Sequence, residues 1–326
     1  MEPNTPPLGA PPLETPLRNI FRTGAVINSR YSILQRVGGG ATGAVFKALD
    51  LHNAEQIVAL KSLTTGDAED PVTTQRFKNE VTLAQQLHHP NIIEIYELNQ
   101  TDSGQLFMSM EFVEGETLRE RIRKQSCTFI DVISILRDIA LALEYAHSQN
   151  VVHRDLKPDN ILIRKDDQVK IVDLGLARNM AAGHSLTKTG EALGTPHYMA
   201  PEQIQGVRVD GRADIYALGI IGYELVVGVP PFIDKTDYRE LVYAHLCNPL
   251  PDFSTKSLIV SAVPSWYEDF VCVCAEKDPA DRYPTMSQVA RTIEKRMVQM
   301  GLMQGVFQPQ ERGISRWLKK FLGVAR

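Results

Sequence analysis

The octapeptide HRDLKPDN, residues 153–160, packs two acids, three basic side chains, an amide and a proline between two apolar stretches. Against a core, such a run carries a heavy desolvation cost unless its charges are paired or bound to something. Its residue types suit a particular chemistry. Asp155 can accept or orient the proton of a hydroxyl, Lys157 can neutralise charge building on a transferred phosphoryl group, and Asn160 can hold a metal through its amide oxygen. Thirteen residues beyond Asn160, VDLG supplies Asp173, a hard oxygen ligand suited to Mg2+. A lone charged octapeptide is more simply a solvated loop, so the other stretches decide.

GGGATGAV (38–45) places Gly38, Gly40 and Gly43 in a G-x-G-x-x-G spacing, with Val45 two residues on. A dinucleotide-binding fingerprint would open a helix at this point, but AVFKALD continues as a strand. The glycines therefore form a hairpin tip whose amides can approach phosphate oxygens without Cβ interference. Alone, they serve a plain hairpin equally well. VALK puts Lys61 on the next strand among apolar neighbours. A single strand lysine is ordinarily a solvated edge residue, but Glu80 on the following helix offers a partner that would aim the ammonium at phosphates.

These residues need elements to position them. YSILQRV, GAVFKALD, QIVALKSL, IIEIYEL and LFMSMEFV are short apolar or alternating runs bounded by turn signals, which predicts five strands. Between them, 73–87 has helical spacing, with Phe77, Val81, Ala84 and Leu87 on one face. Past VEGETL the texture turns helical. A long buried helix is expected over 128–149, two short strands at NILI and QVKIVD, and helices near 214–227, 237–247, 264–275 and 285–298. The fold class is α+β and bilobal, a strand-rich lobe with one main helix (about 28–113) and a larger helical lobe (about 114–298), with a ligand cleft expected between them.

The 326 residues, 43% hydrophobic and 23% charged, suit such a globular chain. A net charge of −4 gives no basic footprint for nucleic acid. Cys127, Cys247, Cys272 and Cys274 lack zinc-like spacing and suit a reducing cytosol, with Cys272 and Cys274 lying in an apolar segment as small hydrophobes. No signal peptide and no transmembrane-length apolar run is found, so a cytoplasmic location is expected. Residues 1–27, proline-rich in their first 16, are expected as a disordered tail.

Together with GTPHYMAPE (194–202), DIYALG (214–219) and Arg282 in KDPADRY, these motifs stand in the order of the protein-kinase signature set. Over roughly 28–298 the sequence resembles a Ser/Thr protein kinase domain, most similar to the bacterial Hanks-type kinases. The resemblance implies that Gly38, Gly39, Gly40, Ala41, Thr42 and Gly43 cover the phosphates of ATP. It implies that Lys61 contacts the α and β phosphates and pairs with Glu80, that Asp155 is the catalytic base, and that Lys157 meets the γ-phosphate. Asn160 and Asp173 would hold Mg2+, or Mn2+ in its place. Met110 becomes the gatekeeper, Glu111 and Val113 present hinge backbone groups to adenine, and Val45, Ala59 and Leu162 sandwich the ring. His153 is expected to be structural, Glu202 and Arg282 a buried ion pair, and Asp214 the acid that braces the catalytic loop. Activation is expected through autophosphorylation of Thr187, Thr189 or both and pairing with Arg154.

Two positions depart from the family pattern: Leu174 stands where an aromatic residue usually follows the metal-binding Asp, and Thr42 where many kinases carry an aromatic or Ser. A pseudokinase or nucleotide-binding scaffold is the alternative, but it would normally lack Lys61, Asp155 or Asp173. The implied partners are protein substrates, with a homodimer left open. GISRWLKKFLGVAR (313–326), read as a helix, sets Ile314, Trp317, Leu318, Phe321 and Leu322 on one face and Arg316, Lys319 and Lys320 on the other. Such a stripe suits an anionic membrane surface, and docking on the protein's own helical lobe or on a partner suits it equally.

Overall fold

A computed structural model describes residues 20–40, 43–63, 71–174, 196–253 and 263–303. Ala41, Thr42, Thr187, Thr189 and the 313–326 segment lie outside the described residues.

Among the described residues, the first lobe is a six-stranded antiparallel sheet with one helix. Its strands are β1 (Val26–Ile27), β2 (Tyr31–Gly40), β3 (Gly43–Asp50), β4 (Gln56–Ser62), β5 (Ile95–Gln100) and β6 (Leu106–Glu111), in the order β1-β2-β3-β4-β6-β5. Helix α1 spans Pro71–Gln85 and buries Val81 and Ala84, with Leu87 just beyond it. Because successive strand residues face opposite sides, the alternation in β3 and β4 sorts the lobe into two layers. Phe46, Ala48, Val58 and Leu60 pack with Tyr31, Ile33 and Phe107 on one side. Val45 and Ala59 join Met108, Met110 and Val81 on the other. Lys61, two residues from Ala59 and paired in register with Val45, must share that second face.

The expected tail ends earlier than residue 27. Phe21 is buried, stacked on Phe46 with ring centroids 5.6 Å apart and edge-on to Phe107, and β1 adds a sixth strand. Proline-rich composition stops at Pro16, and the apolar residues that follow have a sheet face to cover.

In the second lobe, β7 (Gly115–Thr117), β8 (Ile161–Arg164) and β9 (Val169–Ile171) form a small antiparallel sheet. Among the described residues its helices are α2 (Leu118–Arg123), α3 (Phe129–Ser148), α4 (Pro201–Ile204), α5 (Arg212–Val227), α6 (Tyr238–Cys247), α7 (Ser265–Cys274) and α8 (Met286–Gln299). Capping boxes start α2, by Thr117 with Glu120, and α3, by Thr128 with Asp131. Every residue of α5 from Ala213 to Val227 is buried, as expected of a helix apolar on all sides, and Gly228 at φ 86° terminates it. Helices α3, α7 and α8 pack around this core. Cys274 is buried, and burial pushes its thiol well up; Cys272, in the same apolar segment, is exposed on the opposite side of α7.

The lobes are joined by backbone as well as by the hinge after β6. Ile171 N–H donates to Asn91 O at 2.8 Å, and Ile93 N–H to Ile171 O at 2.9 Å, so β9 is stitched to the segment between α1 and β5. That stitching fixes where the residue after β9, Val172, and then Asp173 emerge.

Candidate active site

The loop 153–160 hangs from the buried start of α5. Asp214, fully buried, accepts from the backbone N–H groups of His153 and Arg154, each at 2.9 Å, and lies 2.7 Å from His147 Nε2. Burial works against its charge, yet His147 above all, with the nearby His153 side chain and the Arg154 amide, holds its carboxyl below the ordinary range. His153 is buried and its Nε2 sits 3.1 Å from Val172 O, tying the loop to the segment that carries Asp173. The bracing is needed because Arg154 is held at φ 65°, a left-handed conformation uncommon outside glycine.

From this loop Asp155 faces the cleft. Its Oδ2 accepts from Lys157 Nζ at 2.7 Å and from Asn160 Nδ2 at 3.1 Å, and Asn160 also donates to Asp155 O at 2.8 Å. Oδ1 has no hydrogen bond among the described residues, which leaves one carboxylate oxygen able to take a proton from an incoming hydroxyl. Val172 N–H donates to Asn160 O at 3.0 Å, so Asn160 and Asp173 stand on adjoining, bonded segments. Asp173 itself is at φ 60°, a turn that directs its carboxylate toward the sheet.

The Lys61 ion pair runs to Asp173, not to Glu80. Lys61 Nζ lies 2.6 Å from Asp173 Oδ2, with the lysine side chain almost wholly buried. The expected Lys61–Glu80 contact is corrected on this point: the stitching of β9 to the segment between α1 and β5 delivers Asp173 to the ammonium. Glu80 lies on α1 with one carboxylate oxygen buried.

The remaining described residues named from the sequence lie on the β2–β3 hairpin, on β4, on β6 and the hinge after it, and on β8. Gly40 and Gly43 are paired in register at the end of the β2–β3 hairpin, with Gly38 opposite Val45 and Gly39 opposite Ala44. Gly43 has a second reason to be glycine. At φ 132° a Cβ there would fall 1.7 Å from Ser62 O, so the hairpin closes onto β4 only without a side chain. Ala59 and Met110 belong to the buried face of the sheet, with Val45 and Val113 packed against it and Leu162 half-buried on β8. The Glu111 N–H is used by Glu94 O at 2.9 Å, which leaves its carbonyl as the backbone group able to face a ligand.

Two arrangements escaped the motif spacing. Glu111 also pairs through its side chain with the buried Lys170 at 2.8 Å, clamping the hinge to β9. Arg119 on α2 joins Asp159, Tyr198 and Glu224, residues up to 105 positions away. Further out, Arg282 and Glu202 form the expected buried bidentate pair at 2.7 and 2.8 Å.

Leu174 is buried, so the apolar packing site after Asp173 is filled without an aromatic ring. The donor set fits a hard divalent cation: two oxygen-bearing side chains, Asp173 and Asn160, stand on segments joined by the Val172–Asn160 backbone hydrogen bond, and Mg2+ is ordinarily held by one or two protein groups plus phosphate and water.

The description "Protein kinase domain" matches residues 31–292. The chain is 35% identical over 260 residues to the serine/threonine-protein kinase PknL of Mycobacterium tuberculosis, covering 79% of this chain and 63% of that protein. It is 35% identical over 272 residues to the serine/threonine-protein kinase PrkC of Bacillus subtilis, covering 83% of this chain and 41% of that one. The chain thus spans between about two fifths and just under two thirds of the length of these relatives. Among solved structures, the PknI kinase domain of Mycobacterium tuberculosis superposes with a TM-score of 0.65 at 26% identity, covering 84% of this chain and 99% of that one.

Proposed function

This chain belongs to the protein kinase domain family, and from that premise we propose that it transfers the γ-phosphate of ATP to serine and threonine hydroxyls of proteins. The observation that carries the reading is the convergence of Asp155, Lys157 and Asn160 in one hydrogen-bonded loop facing the Lys61–Asp173 pair. Catalysis of this kind is mostly positioning and electrostatic stabilisation. Asp155 Oδ1 accepts the hydroxyl proton, while Lys157 holds Oδ2 and offsets charge on the transferred group. Lys61 binds phosphate oxygens as a point charge. Asn160 and Asp173 are the residues that would hold Mg2+, which when bound supplies positive charge against the phosphates. Val45, Ala59, Met110 and Leu162 enclose the adenine, and the Glu111 carbonyl and Val113 fix its edge. The glycines 38–43 cover the phosphates.

Incubation with labelled ATP, Mg2+ and a generic basic protein is expected to yield phosphoserine and phosphothreonine. Asp155→Asn is expected to remove that transfer while leaving the melting temperature within a few degrees. Near-wild-type transfer by the folded variant would overturn the assignment.

A narrower proposal concerns activation. A phosphate on Thr187 or Thr189 adds about −1.5 to −2 charge and would pair with Arg154, next to the catalytic Asp. Undiminished activity of a Thr187→Ala/Thr189→Ala variant toward an added substrate would refute it. No helix among the described residues is long and apolar enough to cross a membrane.

A further inference from the structure

Lys170 is a buried cation in the middle of β9, and it reaches across to the strand that ends at the hinge. Its Nζ donates to Glu111 Oε2 at 2.8 Å and to Ile92 O at 3.3 Å. Lys170 is 8% exposed, so its ammonium depends on these acceptors in place of water. Its backbone is held as well. Val169 O accepts from Asn91 Nδ2 at 2.9 Å, Ile171 N–H donates to Asn91 O, and Ile171 O accepts from the Ile93 N–H. Lys170 is therefore a fixed point beside the hinge.

Glu111 is the residue it grips. The Glu111 N–H is tied to Glu94 O at 2.9 Å and its carboxylate to Lys170, so two of the directions leaving its Cα are set. One torsion is left to aim the carbonyl. The following ring limits that rotation, because the Phe112 centroid lies 4.6 Å from Lys47 Nζ on β3. Glu114 also makes an ion pair, with Lys165 at 2.9 Å. Both of those side chains are more than half exposed, where such a pair fixes little. Among the described hinge residues 111–114, the buried grip falls on Glu111.

The carbonyl so held is the one proposed above to meet the edge of adenine. Adenine carries an amino donor at C6, whereas guanine carries a carbonyl acceptor there. A fixed carbonyl accepts from the first and stands acceptor to acceptor against the second. A carbonyl free to tilt makes that distinction poorly. We infer that Lys170 is a positioning residue for purine selection: through the Glu111 side chain it holds the hinge carbonyl in the orientation that favours ATP over GTP. The inference rests on the adenine-binding reading and narrows its nucleotide class. Without Lys170, Arg164 of β8, whose Nη1 lies 3.9 Å from Glu111 Oε1, becomes the nearest cation among the described residues and draws the carboxylate toward solvent.

Titration calorimetry of the full chain with Mg2+ and either ATP or GTP tests this. For the wild-type chain, GTP is expected to bind at least about a hundredfold more weakly, because the acceptor facing it is left unpaired. Lys170→Met is expected to cut that ratio at least about tenfold, or 1.4 kcal/mol, by weakening ATP and not GTP. A loss of packing alone would weaken both nucleotides alike and leave the ratio unchanged. Apolar side chains often replace both halves of a buried ion pair without loss of stability. Lys170→Met/Glu111→Leu therefore serves if the single variant does not fold, and the same fall in ratio is expected from it. A ratio within about threefold of wild type in either folded variant overturns the inference, as does equal affinity of the wild-type chain for the two nucleotides. Phosphoryl transfer to a generic basic protein is followed alongside. Selective binding without transfer overturns the kinase reading and leaves this inference standing, whereas no binding of either nucleotide by the folded wild-type chain overturns both.

Discussion

Replacing Asp214 by Asn changes one atom, yet it separates local order from global stability. The carboxylate receives three contacts at 2.7–2.9 Å, two of them from the backbone of the catalytic loop. An amide offers one acceptor oxygen and one NH2. Placing the oxygen at the Oδ2 position keeps His153 N–H and His147, and it sets the NH2 against the Arg154 N–H, donor facing donor. The opposite flip loses two contacts, so the first is adopted. An unpaired buried N–H costs about 1–3 kcal/mol, and the two retained bonds each weaken by about 1 kcal/mol as their acceptor loses its charge. Against this, a neutral amide escapes the desolvation of a fully buried carboxylate, an effect of several kcal/mol. Globally the two effects largely cancel, so the melting temperature is a poor readout. Locally they do not, because the whole loss falls on Arg154, which already sits at φ 65°.

Hydrogen exchange followed residue by residue is therefore the assay. The Arg154 amide is expected to exchange at least about tenfold faster, corresponding to 1.4 kcal/mol, while amides in the middle of α3 stay within a factor of about three. Displacing Asp155 by about 1 Å costs on the order of a hundredfold in rate, so kcat should fall with little change in KM. Unchanged Arg154 protection together with unchanged kcat would refute the bracing role.

Gly43→Ala puts a Cβ 1.7 Å from Ser62 O at φ 132°, so the hairpin tip must move. Backbone strain of about 1–3 kcal/mol is expected to weaken nucleotide binding roughly ten- to a hundredfold by titration calorimetry, and unchanged affinity would show that the close approach is dispensable. Glu202→Gln leaves Arg282 buried without its counter-ion; a loss of about 3–5 kcal/mol should lower the melting temperature by at least about 6 °C, and a shift under 1 °C contradicts it. His245 is fully buried, and burial depresses its imidazole to about 3. Between pH 6.5 and 3 the unfolded chain binds a proton that the folded chain refuses, so stability falls as pH falls, by about 1 kcal/mol per unit near pH 5–6. Denaturant titrations of His245→Gln should show a shallower acid slope, and an identical slope would mean that His245 charges without unfolding the lobe.

Much of the fold was legible because its signals are local. The 3.6-residue spacing at Val81, Ala84 and Leu87 and the alternation through Phe46–Ala48 and Val58–Leu60 follow from the period of each element, so the main helices and five strands fall where the pattern puts them. What was missed lacks a period. β1 is two residues long, and Phe21 is a single aromatic beyond a proline-rich stretch, so only the sheet face they cover identifies them as folded. The exposure of Cys272 escaped for a related reason: the apolar run Phe270–Ala275 does not say which side of α7 faces α5.

The site divides along the same line. Asp155, Lys157 and Asn160 lie within six residues, so their hydrogen bonding follows from one loop and could be anticipated. Gly43 was anticipated as glycine, but its reason was only half visible, since the Ser62 carbonyl belongs to another strand. Partner choice for Lys61 was not local at all. Glu80 and Asp173 are both acids of the expected type, 19 and 112 residues away in sequence. Which of them takes the ammonium depends on where β9 is stitched to the segment between α1 and β5 and on the left-handed turn at Asp173. Arg119 is the extreme case. Its partners lie 40, 79 and 105 residues downstream, and no spacing rule links an arginine on a six-residue helix to a glutamate inside an apolar one. A sequence signal does exist in hindsight: Glu224 is the one acid in the fifteen residues from Ile215 to Val229, and a buried carboxylate demands a donor. Asking what satisfies an isolated acid in an otherwise apolar helix would have pointed to a missing cation, though not to which of the chain's 35 basic residues supplies it.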